Sequence, residues 1–283
     1  ESGHAMRKSI VWLAIIMGTG LSAYGFLQYG GYFGHSWWFP RDLLASTYVN
    51  HNHFAGYLEL AMPPALALIM VRKQRSLLIR ASLIVSIVLM AGALILSQSR
   101  GAWISLGLSL GVMAYIAFKR NTGNKKQITL IALALALLTI LLSFGGERIL
   151  TRMDAAGIGS DGDTSVETRF KILQCALNIV RQNPVIGTGI GTFTWAFPRY
   201  KPPGLVMQAN FAHNDYLHMA SEMGLIAPFV MLWIFYCLIS RGLKKGGSNP
   251  YSIGCSIGVM SLALHGLVDF NFHIPANMLL FTV

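Results

Sequence analysis

Acidic residues are scarce in this chain: 11 Asp and Glu stand against 22 Lys and Arg in 283 residues. Charged residues make up only 12%, while 54% are hydrophobic, which excludes an ordinary soluble domain. Cysteine is nearly absent as well. Cys175, Cys237 and Cys255 give neither a disulfide framework nor a paired metal spacing. Cys237 and Cys255 fall inside apolar runs, where a thiol behaves as a small hydrophobe. The formal net charge of +11 raises the question of nucleic acid. The basic residues, however, sit in short segments between apolar blocks. That pattern fits membrane topology and anionic lipid, and argues against a nucleic-acid partner.

Long apolar runs are what the chain has in quantity. They lie at 10–29, 54–71, 77–97, 102–118, 128–144, 213–239, 251–268 and from 276 onward. Each is about as long as a helix needs to be to cross a hydrocarbon core. Between them, Arg7-Lys8, Arg72 to Arg75 with Arg80, Lys119-Arg120 with Lys125-Lys126, and Arg241 with Lys244-Lys245 hold 13 of the 22 basic residues and none of the acids. The positive-inside bias places those clusters in the cytoplasm. Segments 30–53, 97–101, 145–212 and 269–275 are then left outside. Open sheets cannot satisfy their backbone in lipid, and a barrel would alternate rather than run continuously apolar. The expected fold is therefore an all-α polytopic integral membrane protein with about 7–8 transmembrane helices. It reads as one membrane domain over 1–283 with an external loop at 145–212. The chain lacks an initiator Met and stops soon after its last apolar block begins, so it also reads as a piece of a longer protein.

Local signals refine this outline. Pro63-Pro64 should kink or unwind the second span, either as a tolerated bend or as part of a cavity wall. In the external loop, Gly145-Gly146 and residues 157–163 read as irregular. Thr164-Ser165-Val166-Glu167 is a capping-box pattern, and Asn183-Pro184 stops the helix at about Gln182. Arg169, Leu173, Ala176 and Val180 share a face of that helix. The glycines at 187, 189 and 191 follow no strand, so they make no dinucleotide fingerprint and read as a tight turn back to the membrane.

All plausible chemistry falls on the external side. In Asn50-His51-Asn52-His53, paired histidines two apart cannot share one helix face, and no third ligand accompanies them; no metal is expected. They end a loop at the interface or contact substrate. Arg100, in Ser97-Gln98-Ser99-Arg100-Gly101, either snorkels to headgroups or holds phosphate oxygens bidentately. Arg169, in the first turn of the capped helix, either pairs with Glu167 or Asp163 or forms an anion site with the helix N-terminus. His213, in Ala212-His213-Asn214-Asp215-Tyr216-Leu217-His218, is expected to begin the sixth span, with Leu217, Ala220 and Gly224 on its face. Asp215, His218 and Glu222 fall on a neighbouring face. Ionisable groups in a span are costly and usually functional, and imidazole is the usual general base. His265 and Asp269, four apart, suit an ordering role behind the reacting groups.

These segments together resemble the O-antigen ligase family, the superfamily that includes O-antigen polymerases and protein O-oligosaccharyltransferases. The carriers are Asn50 to Tyr57, Ser97 to Trp103, and Arg169-x-x-x-Leu173 followed by Asn183-Pro184-x-x-Gly187-x-Gly189. The last is His213-Asn214 with Gly224. Ala227 stands where the ligase pattern has a second Gly. The resemblance implies about twelve spans in a whole member. It also implies an inverting, metal-independent transfer of a glycan from undecaprenyl diphosphate to an acceptor hydroxyl at the periplasmic face of the bacterial inner membrane. It implies no cofactor. The partners would be the undecaprenyl-diphosphate-linked donor, a glycan, lipid-linked or protein hydroxyl acceptor, and membrane lipid. His213 would be the base, and Arg100 and Arg169 would steady the diphosphate as it leaves. Asn214, Asp215, Asn50, His53, Arg199 and Lys201 would contact substrate, with His265 and Asp269 behind them. Trp37, Trp38, Trp195, Phe197 and Tyr200 either face sugars or form an interfacial aromatic belt. The rival is a transporter of inorganic carbon or a small anion, since intramembrane Asp, Glu and His also suit a permeation path. A non-catalytic assembly scaffold is the third reading, and it would leave Arg100, Arg169 and His213 pointing apart.

Overall fold

Backbone groups in hydrocarbon find no water, so apolar runs satisfy themselves as helices. In the computed structural model the described residues form helices joined by turns, with no strand among them. The structure describes residues 2–32, 43–70, 76–119, 166–203, 205, 207–245 and 249–282. The apolar block 128–144, Trp37, Trp38, the basic residues at 72–75 and at 120, 125 and 126, and the expected cap residues Thr164 and Ser165 lie outside the described residues. So do Gly145-Gly146 and residues 157–163. We number the helices α1 (Ser2–Tyr29), α2 (His51–Met70), α3 (Leu77–Leu96), α4 (Arg100–Lys119), α5 (Val166–Gln182), α6 (Phe193–Tyr200), α7 (Asp215–Met223), α8 (Ile226–Lys245), α9 (Pro250–His265) and α10 (Pro275–Thr282). A 3₁₀ turn, Asn271–His273, joins α9 to α10.

Among the described residues, α1 to α4 and α8 are long and apolar enough to cross a membrane. The protein is an all-α polytopic membrane protein. The single span expected over 213–239 is instead two helices. Gly224 breaks it with φ 81°, where a β-carbon would sit 2.0 Å from the Val185 carbonyl oxygen. Hydropathy runs straight through that break, because Leu225, Ile226 and Ala227 are as apolar as any helix interior.

α2 lies at the centre. In its membrane window 83% of residues are buried, against 28% for α1 and α3 and 17% for α8, which stand at the outside of the described bundle. The closest partner of α2 is α9, and glycines make the approach possible. A β-carbon at Gly254 would lie 2.4 Å from Pro64 Cα, and one at Gly258 would lie 3.1 Å from Leu60 O and 3.2 Å from Glu59 O. Pro63 and Pro64 carry no N–H, so these same two carbonyls have lost their helical donors. The Gly258 Cα–H groups face them instead, a weak but favourable contact. α2 nevertheless continues through both prolines to Met70. Gly254→Ala is expected to overpack this seam and lower stability by about 1–3 kcal/mol, seen as a reduced melting temperature in detergent.

The two ends of the bundle differ in chemistry. At one end Lys8 Nζ lies 6.0 Å over the Tyr251 ring, and Trp12 Nε1 donates to Tyr251 Oη at 3.3 Å. Gly242 of α8 packs against Ser256 there, which puts Arg241 and Lys244 of α8 at the same end of the bundle as Lys8. The histidines and carboxylates gather at the opposite end. α5 stops at Gln182, as Asn183-Pro184 predicts. Its buried residues Ile172, Cys175, Ala176 and Ile179 form a separate core with Phe193, Phe197, Leu205, Ala209 and Ala212.

Candidate functional site

His213 does not begin a helix, contrary to the expectation. Asn214 is the N-cap of α7, its side chain accepting from Leu217 N at 2.8 Å and donating to Leu267 O at 2.7 Å. His213 precedes the cap in left-handed backbone, φ 51°, a conformation that is uncommon for a residue with a β-carbon and that recurs at functional sites. The cap thus aims the imidazole off the helix axis. Its Nδ1 stands 3.9 Å from Asp269 Oδ1.

Asp269 lies in the turn after α9 and serves two histidines. His53 Nε2, from the first turn of α2, is 3.7 Å from the same Oδ1, and the Phe270 amide donates to it at 2.8 Å. Burial opposes ionisation of Asp269, but the His53 ring beside it, the charge of His265 and the Phe270 amide outweigh it and hold its carboxyl well below the usual range. The Phe270 ring meets His53 edge-on at 4.6 Å and His213 edge-on at 5.1 Å. Three elements distant in sequence therefore converge on one aromatic ring.

Behind them lies a residue that the motif search passed over. Glu59 of α2 is fully buried. Ser105 of α4 donates to its Oε1, as does Ser261 of α9 at 2.6 Å, while His265 Nδ1 lies 2.6 Å from Oε2. The Asn271 amide nitrogen stands 3.1 Å from His265 Nδ1, and Asn277 donates to Asn271 Oδ1 at 3.0 Å and to His53 O at 2.9 Å. Glycines make room for this layer. A β-carbon at Gly56 would lie 2.1 Å from Asn271 Oδ1, and one at Gly101 would lie 2.9 Å from the His265 ring. A lone acid in an apolar 20-residue helix was the signal that could have found Glu59.

Asn50 caps the entrance to α2, its Oδ1 accepting from Asn52 N at 2.7 Å. Asp215, expected at substrate, is fully buried, and its oxygens take the Phe272 amide at 3.2 Å and His273 Nδ1 at 2.8 Å. Arg100 opens α4 as an exposed residue, and its neighbour Gly101 packs against His265 and Val268. Arg169 lies three residues before Ile172 on the α5 stripe that packs against Ala212, the neighbour of His213. Glu167 pairs with Lys171 at 2.7 Å. Arg199 stands exposed near the end of α6, 5.9 Å over Tyr200, and Lys201 lies 5.9 Å over Phe197. Trp195 is 82% exposed, while Phe197 is buried.

The glycine-rich turn does more than return the chain. Thr188 N donates to Ser221 O at 3.0 Å, Gly189 N to Glu222 O at 2.9 Å and Leu225 N to Pro184 O at 2.9 Å, strapping 183–192 to the end of α7. Gly187, φ 66°, is pressed against Glu222, where a β-carbon would lie 2.3 Å from its carbonyl carbon. The Glu222 carboxylate accepts from Gly191 N and Phe193 N, both at 2.9 Å, and so closes the N-terminus of α6. α7 is only nine residues long, too short to cross a membrane. Burial opposes ionisation of Glu222, but His218 and the two amides outweigh it and hold the pKa down at about 2. A depressed pKa means stability present above the ordinary carboxylate range and lost as pH falls toward about 2. Glu222→Gln is expected to speed hydrogen exchange at the Gly191 and Phe193 amides at neutral pH, and to remove the dependence of that exchange on acid.

Membrane-spanning helices thus carry, at the end away from Lys8 and Tyr251, a buried array of carboxylates and histidines. This is the class of polytopic membrane proteins with a polar site at one end of the bundle. Within it, the chain belongs to the O-antigen ligase family, whose model matches residues 85–232, just over half of the sequence. It is also similar to an uncharacterized protein of Haemophilus influenzae, 26% identical over 194 residues, which cover 64% of this chain and 48% of that protein. The chain therefore spans about half the length of that relative. Arg100, Arg169 and His213 fall within the matched segment, whereas His53, Glu59, His265 and Asp269 lie outside it.

Proposed function

We propose that the protein transfers a glycan from undecaprenyl diphosphate to an acceptor hydroxyl, inverting the anomeric centre without a metal. The observation that carries this is the convergence of His213, His53 and Asp269 on Phe270 at the end opposite the basic residues. By the positive-inside rule that end faces the periplasm of a bacterial inner membrane. His213 takes the proton from the acceptor hydroxyl, with Asp269 offsetting the charge that develops on the ring. Arg100 and Arg169 steady the negative charge that builds on the departing diphosphate. Asn50 and Asn214 fix the loop ends around the donor, and Arg199 and Lys201 meet glycan or phosphate farther out. Ligase, polymerase and protein-glycosylating members share this donor step and differ in acceptor.

The test uses full-length protein in vesicles with undecaprenyl-diphosphate glycan and a panel of lipid-linked, glycan and peptide acceptors. Chelator-insensitive release of undecaprenyl diphosphate, matched by sugar on one acceptor and lost in Arg169→Ala, is the expected result. Absence of turnover from folded protein with every acceptor would overturn the reading. Transport is the second reading, supported by the carboxylate of Glu59 deep in the central helix. It would be favoured by anion flux that survives loss of His213.

A further inference from the structure

The site holds a further carboxylate–imidazole pair, more tightly bonded than Asp269 and His213. Asp215 is fully buried, and its Oδ1 lies 2.8 Å from His273 Nδ1. The Phe272 amide donates to its other oxygen at 3.2 Å. His273 follows in the 3₁₀ turn with its side chain 27% exposed. Nδ1 is thereby committed to the carboxylate, and Nε2 is the nitrogen left for exchange. Asp269 by contrast stands 3.9 Å from His213 and shares its charge with His53. An aromatic pair separates the two histidines. Phe211 and Phe270 stack at 4.4 Å and 11°, with His213 against Phe270 at 5.1 Å and His273 against Phe211 at 5.4 Å. The site therefore carries a histidine on each side of one aromatic wall, each beside a different aspartate.

We propose that His273, held by Asp215, is the general acid of the transfer, opposite His213 as base. This rests on the glycan-transfer reading above. His213 accepts the acceptor's hydroxyl proton, and the oxygen forms its bond to the anomeric carbon. The bond from that carbon to the diphosphate oxygen breaks, and the electron pair leaves on oxygen. His273 passes its Nε2 proton to that oxygen. Exchange with solvent then takes the proton from His213 and returns one to His273. A carboxylate at 2.8 Å fixes the ring tautomer and offsets the charge of the doubly protonated form, the task of a buried aspartate beside a working histidine. Among the described residues, the other titratable groups against His273 are His218, whose ring lies edge-on at 4.3 Å, and, through His218, Glu222 at 3.5 Å. Asp269 is the remaining carboxylate close enough to act on Asp215.

The experiment compares wild type, His273→Gln, His273→Ala and Asp215→Asn in the vesicle assay, with thermal melts to confirm folding. His273→Gln should lower kcat by roughly 10²–10⁴-fold with KM for the donor little changed. It should also abolish the fall in kcat at high pH that an essential acid imposes. Folded His273→Gln with wild-type kcat and an unchanged alkaline limb would overturn the assignment. Turnover absent from wild type itself would instead remove the transfer reading. The pair is then judged by diethyl pyrocarbonate labelling of His273, read by peptide mass spectrometry. Labelling whose pH midpoint falls in Asp215→Asn supports the dyad. A His273 that is unlabelled in folded wild type, or whose midpoint ignores Asp215, sinks it.

Discussion

Replacing His213 is expected to lower kcat by about 10²–10⁴-fold while leaving the melting temperature near wild type. The choice of replacement matters. His213 sits at φ 51°, where a residue with a β-carbon is strained and where Asn is better tolerated than most. His213→Ala removes the imidazole and worsens the backbone fit, so its effect mixes two causes. His213→Asn keeps the left-handed turn before the Asn214 cap and removes only the base. Both should lose the acidic limb of the kcat profile, and the asparagine variant should do so with the smaller drop in thermal stability. An asparagine variant that retains wild-type kcat would assign the base elsewhere.

Glu59→Ala is expected to destabilise the protein by about 3–5 kcal/mol, because it removes one partner of a buried carboxylate–imidazole pair. The His265 ring lies 2.6 Å from the Glu59 carboxylate, and the Ser261 hydroxyl 2.6 Å from it; Ser105 donates from the third side. Cutting the carboxylate strands three polar groups where no water reaches. Glu59→Gln keeps the shape and two oxygen or nitrogen contacts, so its cost should be less than half as large. Double substitution of Glu59 and His265 by apolar residues of similar volume should recover part of the loss, since burying no charge costs less than burying one unpaired. Thermal unfolding in detergent measures all three. Equal melting temperatures for Glu59→Ala and wild type would mean that the network contributes nothing to the fold.

The membrane architecture was legible because lipid demands it: continuous apolar blocks and segregated cations are read residue by residue. The end of α5 at Gln182 was legible too, since a proline stop is local. Glu59 was not, because its partners lie 46, 202 and 206 positions away and nothing near it in sequence announces them. The Asp215–His273 pair, 58 positions apart, was hidden in the same way. His213 was singled out by its chemistry, but periodicity misplaced it at the start of a helix. Helical spacing extrapolates through a cap, whereas the Asn214 side chain ends the helix and reverses the backbone. The break at Gly224 escaped for a different reason. It is set by the Val185 carbonyl pressing on the corner, a contact between segments that hydropathy cannot express.

The seam between α2 and α9 has a consequence for motion. Prolines on one helix and glycines on the other interlock backbone to backbone, and the Glu59 layer pins the pair at the next turns. Side chains can repack when helices slide, but backbone atoms already in contact leave nothing to compress. The two helices must therefore travel as one rigid beam. In the glycan-transfer reading, entry and release then fall to the glycine strap across the end of α7 and the small helical unit of α5 and α6 beyond it.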